Sequence, residues 1–336
     1  MTLVHSEQLL IVTEANWAPS VHNSQPARWR FDGDRLHLFA DPSRFLEVGD
    51  PSLHDAGLSC GAALEGAIMA LAARGIGTRD IEDHWMADLV TSDGLRRAAS
   101  LTMLGRASAM PLQSFVKKRY TWRGAMGDVT ASDLENAIVW AKDTSDVTLV
   151  SAAQEMAWLA EKNDQLSVQF FSNKPYRDEL RSWMRMSRSD PGWHHDGLNA
   201  EAMQMSAFEA RAAKIALASP TFELIKALGL ARSMISEKSN TLSAAGVVLF
   251  HVEEAMSAIE TGRAFYRMWL ELTRLGFVAW PMAVLADDPE CNEICKARFE
   301  VPQNRRLVNI LRFGGPPVAT FRSSTARLKA ESLIIE

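Results

Sequence analysis

Residues 18–39 read "APSVHNSQPARWRFDGDRLHLF", and the two halves of this stretch make different demands. Arg28–Phe31 and Arg35–Leu38 alternate apolar and polar residues around Asp32-Gly33-Asp34, the pattern of a β-hairpin closed by a tight turn. Ala18–Pro26 fits neither strand nor helix. It holds two prolines, two serines, His22, Asn23 and Gln25. Such a segment is stiff and rich in short hydrogen-bonding side chains. Ser20, Asn23 and Gln25 suit the edge of a planar heterocycle, with Pro19 fixing the backbone; an ordinary loop ending a helix has the same composition. His22 reads either as an acid or as a group bonding its own loop.

Outward from this stretch, helix and strand signals intermix. Residues 6–17 ("SEQLLIVTEANW") and 132–141 ("SDLENAIVWA") both open as helices on a serine. Strands follow at 147–151 ("VTLVS"), 244–252 ("AAGVVLFHV") and 306–313 ("RLVNILRF"). The class is therefore α+β. Two further segments match each other: "GAALEGAIMALAARGI" from Gly61 and "GRAFYRMWLELTRLGF" from Gly262. Each runs from one glycine to another at the same spacing. Leu64 answers Phe265, Ala67 answers Met268, Ile68 answers Trp269 and Leu71 answers Leu272. Both read as buried helices with a glycine cap, and the pairing points to an internal duplication. The halves are unequal: a first repeat over 1–112 carries the Pro/Ser/Asn loop, and a second over 113–336 begins with "KKRYTWRGAM". A stretch at about 165–205, broken at Lys174-Pro175 and Asp190-Pro191-Gly192, has no counterpart and reads as an inserted helical lid, in which Trp193 and His194 are lid or substrate contacts.

Composition narrows the function classes. The chain has 336 residues, 47% of them apolar and 23% charged, with a net charge of −5. That charge argues against nucleic-acid binding. No apolar run is expected to span a membrane, the start lacks a basic-then-apolar leader, and three scattered cysteines make no disulfide framework, so a cytoplasmic protein is expected. Ten tryptophans and fifteen methionines serve core packing and would equally suit a flat aromatic ligand. Cys291 and Cys295 lack further ligands for a metal. "GIGTRD" at 75–80 misses the third glycine of a dinucleotide fingerprint. Arg119, Thr121 and Arg123 alternate, so on an extended segment two guanidiniums and a hydroxyl face one way, as a phosphate requires. A solvated basic stretch would read the same.

"APSVHNSQP" resembles the flavin-contacting loop of the FMN-dependent nitroreductase family. "RYTWR" resembles that family's phosphate-gripping arginine motif, and "STARLKAE" (324–331) its closing segment. In ordinary members the arginine motif precedes the Pro-Ser loop. Here it follows by about a hundred residues, an order that resembles the tandem Acg-type branch, in which one chain is like a fused dimer. The resemblance implies a nitroreductase-like α+β fold with a pseudo-dimer of sheets flanked by helices. It implies FMN held by Pro19, Ser20, Val21, Asn23 and Gln25 at the ring, and by Arg119, Thr121, Arg123 and Arg327 at the phosphate and ribityl chain. Trp280 and Pro281 would approach the reactive N5 edge. The chemistry implied is hydride transfer from NAD(P)H through N5 to a nitroaromatic, quinone or similar acceptor, with no catalytic side chain. An FMN-sequestering protein with little turnover is the alternative. Exposed apolar helices would allow a homodimer. Ala27 stands where the family usually has Trp, and Leu328 where the tandem branch commonly has arginine.

Overall fold

In a computed structural model, residues 2–87, 89–317 and 326–336 are described. The first lobe contains α1 (His5–Ala15), β1 (Ala27–Asp32), β2 (Arg35–Ala40), α2 (His54–Ala73), β3 (Gly77–Asp83) and β4 (Arg96–Leu104). Its sheet has the order β1-β2-β4-β3, antiparallel throughout. The hairpin forms where expected: Asp32 pairs with Arg35 across Gly33, whose φ of 58° a residue without Cβ adopts freely.

The second lobe runs through α3 (Ala131–Lys142) and β5 (Val147–Val150) into a helical region. That region comprises α4 (Ala153–Ser172), α5 (Lys174–Trp183), the short parallel pair β6 (Met184–Arg185) and β7 (Leu198–Asn199), α6 (Ala207–Ala216), α7 (Ser219–Ala227), α8 (Ala231–Ile235) and α9 (Lys238–Leu242). It ends in β8 (Gly246–Glu253), α10 (Ala258–Arg274), β9 (Val278–Pro281), α11 (Val284–Asp287), α12 (Pro289–Arg298) and β10 (Arg305–Gly314). The second sheet has the order β5-β8-β10-β9. The helical region between β5 and β8 is thus wider than 165–205.

The lobes meet along α2 and α10. Both helices are followed by a left-handed glycine, Gly75 at φ 75° and Gly276 at φ 92°, the expected caps. At their crossing the backbones touch. A Cβ on Gly61 would stand 2.1 Å from the Ile259 carbonyl oxygen, and one on Gly262 would stand 2.1 Å from that of Leu58. The contact is reciprocal in the register the sequence pairing gives, because Leu58 precedes Gly61 as Ile259 precedes Gly262.

Helix α2 corrects one expectation. Its mean hydropathy of 1.5 over a membrane-length window makes it apolar enough to cross a bilayer, yet 94% of that window is buried inside the protein. It is a core helix, apolar on most sides because it is largely surrounded, with the buried Glu65 paired to Arg263 and Arg267. The carboxyl-terminal segment returns to the first lobe, where Trp29 N–H donates to Leu333 O and Ile335 N–H donates to Trp29 O, each at 2.8 Å.

Candidate functional site

The loop that precedes the hairpin is strained. His22, Asn23 and Gln25 take φ of 47°, 56° and 53° around the single turn Val21–Asn23. Three non-glycine residues in the left-handed region within four positions need external support. Much of it comes from the loop's own polar groups. Gln25 N–H donates to Ser20 Oγ at 3.0 Å, and Val21 N–H donates to Ser59 Oγ on α2 at 3.2 Å. Asn23 Nδ2 donates to the carbonyls of Gly197 and Ala326, and its Oδ1 accepts from Arg327 Nη1 at 3.0 Å.

Gln25 is the first correction among the site residues. Its Oε1 accepts from Asn16 Nδ2 and Leu328 N–H, and its Nε2 donates to Asn23 O and His195 O. Both ends of the amide are spent on protein, and Gln25 does not line the cavity that the loop borders. Trp193 and His194 are not brought there either. Trp193 is buried against Ala200 and Ala210, and His194 is exposed, contributing its carbonyl to Arg327 N–H at 3.1 Å. The 187–198 loop therefore reaches the first lobe through backbone groups and through the Asp196 carboxylate, which accepts from Arg44 Nη1 at 3.1 Å, rather than through these rings.

The cavity is about 680 Å³ and lies between the lobes. Pro19, Ser20, Val21, His22 and Asn23 border it from the first lobe, and Arg119, Thr121, Arg123, Trp280 and Pro281 from the second. Arg327 enters from the returning segment; Ser324 and Thr325 of the same motif lie outside the described residues. Of the residues between the three in "RYTWR", Tyr120 also borders the cavity and Trp122 does not. Thr121 bridges Ala279 in parallel, Trp122 N–H donates to Ala279 O at 3.0 Å, and the Trp122 ring turns away into a small core with Met126 and Val278.

One end of the cavity is cationic. Arg119 is 7% exposed; its Nη2 donates to Trp17 O at 3.1 Å, while Nε and Nη1 are buried without a well-formed hydrogen bond. Its guanidinium lies 4.8 Å from the Trp269 ring centre. Arg327 donates to Asn16 O at 2.7 Å and to Asn23 Oδ1. Arg123 donates to Ala202 O at 3.1 Å. Among the described residues none of these three arginines forms a salt bridge to a carboxylate. Burial, and then repulsion from Arg119, lowers the Arg327 pKa to about 10. Burial also lowers those of Arg119 and Arg123. His22, depressed to about 4 by burial and then by Arg123, is neutral at pH 7. Lys117 and Lys118 complete this rim. Like charges held together out of water without salt bridges of their own form a socket for an anion.

Trp280 is held by a cation–π contact, with the Arg312 guanidinium 4.1 Å from the ring centre. Arg312 in turn donates to Glu237 Oε2 at 2.9 Å and to Arg123 O at 3.1 Å, so the tryptophan and the arginine motif share one support. Sequence reasoning missed Trp17, Ser59, Asp55, Asp287 and Asn163, all on the cavity wall. Ser59, Asp55, Asp287 and Asn163 lie on helices and Trp17 in the turn that follows α1, and only folding brings them to one surface.

No family model matches the chain. Two Mycobacterium tuberculosis proteins, each named "Putative NAD(P)H nitroreductase", are similar to parts of it. One is 45% identical over 65 residues, 19% of each chain. The other, acg, is 29% identical over 199 residues, 55% of this chain and 56% of the relative. The chain thus spans about half, or less, of the length of the curated relatives it matches. Among solved structures it is similar to a "putative nitroreductase" from Anabaena variabilis, over 94% of this chain and 90% of that one, at 10% identity and a TM-score of 0.47.

Proposed function

We propose that this chain is a flavoprotein oxidoreductase of nitroreductase type, holding FMN between its lobes and taking electrons from NAD(P)H for a nitroaromatic, quinone or similar acceptor. The observation that carries the reading is the anion socket. Arg119, Arg123 and Arg327 converge on a cavity of ligand size, and among the described residues none of the three forms a salt bridge, the nearby Glu237 being bonded to Arg312 instead. The orphaned Arg119 nitrogens fit a phosphate, whose oxygens accept from guanidinium in two-pronged fashion. The similarity to proteins named as NAD(P)H nitroreductases supports the donor.

FMN, when bound, supplies two-electron chemistry, accepting a hydride and passing reducing equivalents to the acceptor. The chain's own residues bind and orient. Arg119, Arg123 and Arg327 hold the phosphate, with Thr121 available to the ribityl chain. The strained backbone of Pro19–Asn23 fixes one wall at the ring, and the Arg312-supported Trp280 with Pro281 fixes another. His22 stays uncharged, so it adds no positive charge to that wall. We assign the early lobe (1–112) and the later one (113–336) as unequal copies sharing a single site. The reciprocal contact of Gly61 and Gly262 supports that assignment.

The test is direct. Purified protein given FMN should turn yellow, bleach when mixed anaerobically with NADPH or NADH, and regain colour on adding a nitroaromatic. Failure to take up FMN overturns the reading. A stable yellow complex that NADPH and NADH cannot bleach overturns the oxidoreductase half of it.

A further inference from the structure

Helix α4 brings one side chain to the cavity with no use inside the protein. Asn163 is 1% exposed and lines the cavity, and neither its Oδ1 nor its Nδ2 has a hydrogen-bond partner. The residue after it shows the contrast. Asp164 is equally buried, yet its carboxylate accepts from Glu237 N–H at 2.9 Å and from the Ser236 hydroxyl. A buried amide with both ends idle is costly, and folded chains rarely keep one without a ligand or water to meet it.

The surroundings limit what can meet it. Trp280 and Met282 border the cavity and belong to an apolar cluster with the fully buried Leu159 and Leu285, while Ser236 and Glu237, also on the wall, are bonded to Asp164 and Arg312. The one further idle group on this wall is the Asn309 Oδ1 of β10, at a bulge in the pairing with β8. The arginines that would serve an anion donate to Trp17 O, Asn16 O, Asn23 Oδ1 and Ala202 O, none of them on α4. A neutral group carrying one acceptor and one donor satisfies Asn163 completely. A primary carboxamide does so, giving its C=O to Nδ2 and its N–H to Oδ1.

We infer that Asn163 is a specificity-determining residue that recognises the carboxamide of the nicotinamide donor. This rests on the NAD(P)H reading above. It gives the second ligand its own hydrogen-bonding partner on the lobe opposite the Pro19–Asn23 loop, beside Trp280.

The experiment compares NADPH with its 3-acetylpyridine analogue, in which a methyl group replaces the amide nitrogen, for reduction of the FMN-loaded protein. The analogue keeps the carbonyl and loses the N–H donor. Its different intrinsic reactivity cancels when wild type and variant are compared as ratios. Asn163→Leu, of similar size and without polar atoms, should lower the NADPH-to-analogue ratio of kcat/KM by about tenfold and leave FMN content unchanged. Asn163→Ala provides the same comparison should the leucine variant not fold. An unchanged ratio with FMN retained overturns the assignment while leaving the flavoprotein reading intact. Loss of FMN from folded variants also overturns it, since Asn163 would then serve the flavin ring. A wild-type protein that holds FMN but is not reduced by NADPH or NADH overturns the assignment together with the oxidoreductase half of the reading above.

Discussion

Arg119 shows how a single side chain can be legible and still be misjudged. Its place in R-x-T-x-R is visible in the sequence, but the same letters describe a solvated basic stretch. What separates the two is the burial of Arg119 without a salt bridge, which only the folded arrangement reveals. Arg119→Ala with Arg123→Ala should weaken FMN binding at least ~100-fold, as expected for losing two charge-assisted contacts; equilibrium dialysis or flavin fluorescence measures it. Asp55 makes a second prediction. Its carboxyl faces the cavity, half-exposed to its interior yet ringed by protein, and burial followed by repulsion from Asp50 pushes its pKa up to about 7. Asp287, on the same wall, is raised as well, by burial and then by Asp55 and Asp50. Between about pH 4 and 7 the folded chain holds a proton that the unfolded chain has released. Asp55 therefore lowers stability progressively as pH rises through that window, and by a constant amount above it. Asp55→Asn should raise Tm at pH 8 and leave it unchanged below pH 4, as calorimetry at the two pH values would read.

At the scale of elements, the crossing of α2 and α10 decides the architecture. Glycine at both contact points allows the helix backbones to touch. Gly61→Ala would drive a methyl group into the Ile259 carbonyl, where relief requires the lobes to separate. The expected loss is about 3 kcal/mol, the upper range for overpacking, against a gain of about 1 kcal/mol in helix propensity. Gly105→Ala, with nothing within 4 Å of its added Cβ, is the neutral control, and denaturant midpoints compare the two. These glycines were readable because their spacing repeats in two helices. The hairpin was readable because period-two alternation flanked a turn. The helical region between β5 and β8 was read only in its middle; α6 and α7 carry their own signals, a Ser206–Glu209 capping box, Pro220 and Gly229, but these mark separate short helices and do not join them to 165–205. Gln25 misled for a physical reason. Its type and position suit a ligand, but the strained turn requires internal bonds, and the nearest amide provides them.

Across the whole molecule, the cavity belongs to neither lobe alone. Its walls come from α2, the 119–123 segment, α4, β9 and the returning carboxyl-terminal segment, so ligand binding and lobe association are thermodynamically linked. FMN at a hundredfold excess over its Kd should stabilise the fold by about 2.7 kcal/mol. Circular dichroism and tryptophan emission should then follow one coincident transition at a higher Tm, since Trp29 and Trp269 report on different lobes. The returning segment carries a practical corollary. Arg327 reaches the anion socket from a strip of chain sewn to β1 at Trp29, so whatever unpicks that seam also withdraws a positive charge from a distant pocket. On the flavoprotein reading, Trp29→Ala, which loosens that seam without altering a residue on the cavity wall, should lower the FMN content of the purified protein.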